Sequence, residues 1–281
     1  MSVLSVPVSV LILTKNEALD LPGCLDSVAF SDDVHVFDSE STDATREIAA
    51  ARGAQVTVRT FDDYARQRSA ALQLPFRHAW VLVLDADERM TDAGVREIAQ
   101  TLGDVPDSIA AFSMRRRDFL WGTWLKHAQM SPFYVRLQRV GRTRYVRSVN
   151  EVVEVDGETR ELREPFDHFP FSKGVTYWIE RHNRYATGEA ALLVDGNFAQ
   201  DVSWKKALFG KDFHERRIAQ KAIFYCMPGR PAIKWMYMMF VRGAVLDGRA
   251  GVMYATLQSI YEYFIELKRR ELVRLRKGQS L

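Results

Sequence analysis

Apolar and polar stretches alternate along the first hundred residues in a way that predicts a strand–helix repeat. Val8-Ser9-Val10-Leu11-Ile12-Leu13 is a β-rich run that gives way to Thr14-Lys15-Asn16-Glu17. A short helix is expected from Leu21 to Phe30, with Pro22 near its start, where proline is tolerated. Val34 to Phe37 forms a second strand ending in Asp38-Ser39-Glu40-Ser41-Thr42-Asp43, whose side chains suit a helix N-terminus. Ala44 to Arg52 follows as a helix closed by Gly53, and Gln55 to Arg59 is a third strand. Tyr64 to Leu72 is helical and carries Arg66, Gln67 and Arg68. Trp80-Val81-Leu82-Val83-Leu84 is apolar without alternation, the pattern of a strand buried on both faces. Asp92 to Gln100 completes the series as a helix. Strands alternating with helices imply a parallel, right-handed wound sheet.

The pattern then changes. Ile109 to Arg116, Tyr134 to Arg139, Glu151 to Val155 and Glu158 to Leu162 are expected as short strands. The last two are expected to form a hairpin across Asp156-Gly157, a strong two-residue turn signal. A mixed extension on one side of the sheet accounts for them. A helical period returns at Val175, placing Val175, Trp178, Ile179, His182, Tyr185 and Ala186 on one face. Residues 201–281 look helical throughout, with Leu257, Ile260, Tyr261, Phe264 and Ile265 as a stripe.

Composition adds little until charge is mapped. A chain of 281 residues with 47% hydrophobic and 27% charged residues is ordinary for a globular protein. Cys24 and Cys226 form no CxxC, so neither a disulfide framework nor a zinc site is expected, and a reducing cytoplasm fits. The apolar stretch Met1 to Leu13 lacks a basic leader and a cleavage site, and is expected as a strand rather than a signal peptide. No stretch reaches the ~20 apolar residues that span a bilayer. The net charge of +3 conceals an asymmetry: residues 201–281 hold 16 Lys and Arg against 7 Asp and Glu. Either a solvated helical face or a tail that meets an anionic surface explains it. For the second, Trp235-Met236-Tyr237-Met238-Met239-Phe240-Val241 is too short to span and is flanked by Lys234 and Arg242. Six basic residues lie between Lys268 and Lys277. On this basis the protein is expected at the inner face of the cytoplasmic membrane, with no nucleic-acid partner.

Candidate chemistry gathers at strand ends. Positions i and i+2 of an extended chain point the same way, so Asp85 and Asp87 in Asp85-Ala86-Asp87-Glu88 can converge past the strand's carboxyl end. Hard oxygens there suit Mg²⁺ or Mn²⁺, although the cluster alone also suits a solvated turn. Thr14-Lys15-Asn16-Glu17 and Asp38-Ser39-Glu40-Ser41 would share the same sheet edge, where open α/β sheets bind ligands. There is no GxGxxG and no GxxxxGK[ST], so a phosphate-bearing ligand would rely on a metal, with Arg66 or Arg68 as further countercharges.

Four stretches, VSVLILTKNE (8–17), VHVFDSESTD (34–43), YARQRSAA (64–71) and WVLVLDADE (80–88), resemble the inverting family 2 glycosyltransferases of GT-A fold. The branch they resemble is that of the lipopolysaccharide core-biosynthesis β-glycosyltransferases. A looser likeness continues through Val135-Arg136-Leu137, Asn150-Glu151, Pro165-Phe166-Asp167-His168, Tyr185-Ala186 and Asp247-Gly248. The resemblance implies a nucleotide-sugar donor, preferentially UDP-linked, a glycan or lipid-linked acceptor, a Mn²⁺ or Mg²⁺ ion and a carboxylate base. Asp85 and Asp87 match the metal and ribose-diphosphate motif, and His168 matches a histidine that ligates the metal or contacts the diphosphate. Asp38 matches the acid that reads the nucleotide base; Thr14, Asn16 and Glu17 match first-strand nucleotide contacts. Gln67 and Arg68 match a pair near the donor, and Glu151 matches the base, with Asn150 where the family commonly has His. Asp167 is expected to orient His168. Trp121, Trp124 and Tyr134 are expected either to pack in the core or to stack on sugar rings. The implied organisation is a nucleotide-sugar-binding half at 1–105, an acceptor half carrying the base at 106–200, and a helical region at 201–281. A sugar-phosphate nucleotidyltransferase would need a glycine-rich loop after the first strand, which is missing, and a non-catalytic membrane-surface protein would leave the acids at three strand ends without a purpose.

Overall fold

In the computed structural model, residues 5–146, 152–195, 203–209 and 213–280 are described. The chain divides into two compact units, Met1–Phe119 with Ser131–Ser172, and Leu120–Met130 with Lys173–Leu281.

The first unit is built on strands β1 (Ser9–Thr14), β2 (Val34–Asp38), β3 (Gln55–Val58) and β4 (Trp80–Asp85). They pair in parallel in the order β3-β2-β1-β4. Helices α1 (Leu21–Ser27), α2 (Thr45–Ala51) and α3 (Tyr64–Ala71) make the crossovers, each within two or three residues of its predicted bounds. After β4 come β5 (Glu88–Met90), α4 (Asp92–Thr101), β6 (Ile109–Leu120) and β8 (Phe133–Arg139), while β7 (Thr123–Trp124), between the last two in sequence, belongs to the second unit. The sheet continues as β4-β8-β6-β12-β5, where β12 is Phe166–His168. β8 runs antiparallel to both β4 and β6, and β12 runs parallel to β6. This is the mostly parallel sheet of GT-A type, with the mixed extension that the run of short strands predicted.

Burial on both faces explains the unbroken apolar strands. Val10, Ile12, Leu82 and Leu84 pack with Leu21, Val95 and Ile98 on one side. Leu11, Val81 and Val83 pack with Ala65, Ala71 and Leu72 of α3 on the other. Neighbouring residues of one strand thus serve two separate cores, and the buried polar exceptions, Ser9 of β1 and His35 of β2, both bond to Asp33.

The predicted hairpin across Asp156-Gly157 is not formed. β9 (Thr143–Val146) pairs antiparallel with β10 (Val152–Val155), while β11 (Glu158–Glu161) pairs in parallel with β6. The turn's backbone groups are taken by the residues that lead into β9 and β6: Asp156 N donates to Arg142 O at 2.8 Å, and Glu158 N to Ser108 O at 2.8 Å. Gly157 is at φ +138°, and a Cβ there would lie 2.7 Å from Ser108 O. The glycine marks a close passage of two backbones.

In the second unit, α5 (Gly174–Val194), α6 (Trp204–Phe209), α7 (Phe213–Cys226), α8 (Arg230–Met236) and α9 (Gly248–Arg276) realise the expected helical region. α5 and α8 pack on α9. Of the predicted α5 face, Trp178 and Ala186 are buried, whereas Ile179 and Tyr185 are exposed. A π-helical turn, Tyr237–Val241, and a 3-10 turn, Ala244–Asp247, join α8 to α9. Among the described residues no helix is long and apolar enough to cross a membrane. Several bases of the C-terminal run have partners within the chain: Lys268 donates to Asn183 and Thr187, Arg269 and Arg270 to Glu266, and Arg276 to Asp195.

Candidate active site

The parallel register sets the polar ends side by side. Thr14 lies opposite Asp38, and Leu13 opposite Asp85, so the ends of β1, β2 and β4 form one row. Past that row the β1 and β2 loops are tied together. Asn16 N donates to Ser41 Oγ at 2.8 Å, Thr42 N to Asn16 Oδ1 at 2.8 Å, and Glu17 N to Thr45 Oγ1 at 2.8 Å. Asn16 and Glu40 take positive φ values of 55° and 59°, which turn the two loops toward each other.

Asp38 sits beneath this junction, fully buried. It accepts from Thr14 Oγ1 at 2.7 Å, Ser41 N at 2.7 Å and Ser41 Oγ at 2.5 Å. Both carboxylate oxygens are therefore engaged with the loop. Gln67 is buried and donates to Ser39 Oγ at 2.9 Å. Its neighbour Arg68 turns to the other strand end, donating to Asp85 Oδ1 at 2.7 Å. Helix α3, started by Asp63 accepting from Arg66 N, thus links the two parts of the site. Arg66 itself is exposed and pairs with Asp63 rather than with the β4 acids.

Around the β4 end, charges alternate in sign. Arg136 of β8 lies 3.4 Å from Asp85 Oδ2 and donates to Glu88 Oε1. Glu88 is fully buried, and its other oxygen accepts from Asp85 N at 3.0 Å. Burial alone would raise the Asp85 pKa, but Arg68 and Arg136 outweigh it and hold the carboxyl well below its usual range. Glu88 shifts the other way: burial and the nearby Asp85 charge prevail over Arg136 and push it up.

β12 delivers His168. Its Nε2 lies 3.3 Å from Asp87 Oδ2, and its Nδ1 donates to Asp118 of β6. Burial lowers the imidazole's pKa, yet Asp87 and Asp118 together raise it to about 9. Asp167 is not its orienting partner. Successive residues of a strand point to opposite faces, so Asp167 turns away and pairs with Arg117 at 2.6 Å. Asp118 takes the role because β6 runs parallel to β12 with Asp118 opposite His168.

The structure therefore gathers Thr14, Asn16, Glu17, Asp38 and Gln67 at the β1–β2 loops, and Arg68, Asp85, Asp87 and His168 at the β4 end. Glu151 lies outside the described residues. Of the candidate stacking aromatics, Tyr134 packs against the core, while Trp121 is exposed at a positive φ of 49°. Sequence reasoning missed Arg136, Glu88 and Asp118 as site residues. Arg136 carried only a faint signal, a basic residue within a strand otherwise bound for the interior.

The fold and this row of strand-end groups define an α/β protein whose polar and charged side chains gather at one edge of a mostly parallel sheet. The sequence profile described as "Glycosyl transferase family 2" matches residues 9–159, and the chain belongs to that family. It is 25% identical over 272 residues to the lipopolysaccharide core biosynthesis glycosyltransferase LpsC of Rhizobium meliloti, covering 93% of this chain and 91% of LpsC. An uncharacterized glycosyltransferase of Rickettsia bellii is 41% identical over 85 residues, 30% of this chain and 29% of that protein. The match thus spans under a third of that relative's length. Among solved structures, glucosyl-3-phosphoglycerate synthase from Mycobacterium tuberculosis aligns with a TM-score of 0.34 at 22% identity, over 39% of this chain and 44% of that one.

Proposed function

We propose that the protein transfers a sugar from a nucleotide-sugar, with UDP as the nucleotide, to a hydroxyl of a glycan or glycolipid acceptor, with inversion at the anomeric carbon. The setting we assign is lipopolysaccharide or other cell-surface polysaccharide assembly, supported by the likeness to LpsC along 93% of the chain. The observation that carries the reaction is the meeting of Asp85 and Asp87 with Arg68, Arg136 and His168 at the end of β4, beside the tied β1 and β2 loops.

The donor set suits a divalent metal. Two carboxylates supply hard oxygens, and His168 offers Nε2 while its Nδ1–H is held by a carboxylate, as metal-binding histidines commonly are. Among the described residues no three such side chains are already grouped around one point. Asp85, Asp87 and His168 are the residues assigned to hold Mn²⁺ or Mg²⁺, which as a Lewis acid supplies stabilisation for the diphosphate as it leaves. Thr14, Asn16, Glu17, Asp38 and Gln67 shape the nucleotide pocket, with Asp38 acting through the loop it braces. Arg68 and Arg136 fix the Asp85 carboxylate in its ionised form. The acceptor oxygen bonds to the anomeric carbon as the carbon–oxygen bond to the β-phosphate breaks, its electron pair leaving with the diphosphate. The acceptor's proton passes to a carboxylate, assigned to Glu151 on the sequence match alone.

Thermal melting with UDP, with and without Mn²⁺, tests the pocket. At ~100 times its dissociation constant a ligand stabilises the fold by about 2.7 kcal/mol. Asp87→Asn should abolish the Mn²⁺-dependent shift while leaving the unliganded melting point within a few degrees of wild type. Glu151→Gln should keep that shift and lower sugar transfer by about 10²–10⁴-fold. A mutant Asp87 protein that still shows the full metal-dependent shift would refute the metal assignment. Near wild-type transfer by the Glu151 variant would place the base elsewhere.

A further inference from the structure

The turn between α8 and α9 carries a group of apolar side chains that the transfer reaction does not use. Phe240 is 70% exposed, Val241 73% and Leu246 72%, with Met236, Tyr237 and Val245 around half exposed beside them. Phe240 meets Trp235 edge-on and otherwise faces outward, and with its neighbours it makes this segment an apolar projection. Single exposed apolar residues are unremarkable, but a contiguous set of this size marks an interaction surface.

The projection is held rigidly from beneath. Met238 and Met239 of the same π-helical turn point inward and are buried. Arg242 N closes the turn on Tyr237 O at 2.9 Å, and π-helical turns of this kind are frequent at functional positions. Asp247 is buried and accepts from His127 N at 2.8 Å, Ala128 N at 2.7 Å and His127 Nδ1 at 2.6 Å. α9 approaches so closely that a Cβ on Gly251 would lie 2.0 Å from Ala244 O. A surface already fixed in shape loses little conformational entropy on docking.

Its charge is one-sided. Of the four Lys or Arg in residues 229–257, Arg230 and Lys234 pair with Glu266 and Glu262, while Arg242 and Arg249 stand beside the apolar group, and the one acid of the stretch, Asp247, is turned inward. Arg242 follows the exposed pair Phe240-Val241, and Arg249 lines a shallow apolar groove with Val245, Val252 and Met253. Apolar and aromatic side chains ringed by bases, at the end of a helix too short to span, match an anionic bilayer: the side chains enter the acyl boundary and the guanidinium groups meet lipid phosphates. We propose that residues 236–249 form a wedge that docks the protein on an anionic membrane surface without crossing it. The contact is thereby placed on this wedge rather than on the basic run at 268–277, whose bases are largely engaged within the chain.

Flotation of the full-length protein tests this, using vesicles of phosphatidylcholine alone or with one-third phosphatidylglycerol. Wild type should float with the anionic vesicles and be released by raised salt. The triple variant Phe240→Ser, Val241→Ser, Leu246→Ser should lower partitioning by roughly a hundredfold. Arg249→Glu should weaken it by about fivefold or more, whereas Arg270→Gln should change it less than twofold. Melting curves establish that the variants fold. Should the triple variant unfold, Leu246→Trp supplies a second readout: its fluorescence should be quenched by bilayers of brominated lipid. Failure of wild type to float at low salt overturns the proposal. So does sedimentation showing a dimer that the triple variant converts to monomer with no change in flotation, since a second copy would then cover the patch.

Discussion

Two acids, one buried and one partly exposed, show how the same residue type is put to different uses. Glu88 lies under the candidate site, where it accepts from Arg136 and from the Asp85 backbone N–H and so holds the end of β4 in place. Glu266 lies in the helical unit, where it accepts from Arg230 Nη2 at 2.9 Å and from Arg269 and Arg270. Arg230 is almost fully buried, so removing its counterion leaves a charge with no solvent to turn to. Burial alone would raise the Glu266 pKa, but its arginine partners lower it from 4.5 to about 2. A depressed carboxyl pKa contributes stability above the unfolded-state value that is lost as pH falls through the folded-state value. Glu266→Gln should therefore destabilise the protein by about 3 kcal/mol at pH 7. Denaturant titrations should show that gap unchanged down to about pH 4.5 and shrinking toward pH 2. A gap that persists undiminished at pH 2 would show that the ionised form is not what Arg230 needs.

At the scale of elements, the passage from β10 to β11 is constrained twice over, by backbone conformation and by a close contact. Gly157 combines φ +138° with a carbonyl oxygen 2.7 Å from where a Cβ would stand. Gly157→Ala should cost about 2 kcal/mol or more, since both backbone strain and the close contact must be relieved. In a chain of this size that lowers the melting temperature by at least about 4 °C. Gly103→Ala, with nothing within 4 Å of its Cβ position, serves as the control and should leave the melting temperature nearly unchanged. Equal melting temperatures for the two variants would mean that β11 can move away from Ser108 at little cost.

Over the whole molecule, stability is concentrated where strands are covered on both faces. Leu11 and Ile12 of β1 and Val81 to Leu84 of β4 are completely buried, and both strands are paired on each side. Amides there should open only with the global unfolding of their unit. By contrast, β11 is exposed along its length. Native-state hydrogen exchange should rank β1 and β4 slowest, with β11 exchanging at least about a hundredfold faster. Comparable protection in β11 would show that its parallel pairing to β6 is stronger than its exposure suggests.

The alternation of strands and helices from β1 to β4, and the helix α4, were determined by the sequence itself, because strands buried on both faces are almost wholly apolar and each crossover must bury one face; the short β5 between β4 and α4 left no such mark. The chemistry at the strand ends was legible for the same reason: polar clusters such as Asp38 to Asp43 and Asp85 to Glu88 can stand only where such strands stop. Which residues meet there was a matter for the tertiary structure. Asp118 and Arg136 reach the site from β6 and β8, strands whose neighbours are fixed by long-range pairing and leave no mark on local periodicity. Asp167 appeared to be the partner of His168 because it is adjacent in sequence, but the two-residue period of a strand sends adjacent side chains to opposite faces. Asp156-Gly157 had the composition of a tight turn, yet the backbone groups on either side found partners in the residues that lead into β9 and β6. Local sequence fixes what a segment can become; competition among distant segments for the same hydrogen bonds decides which pairing is kept.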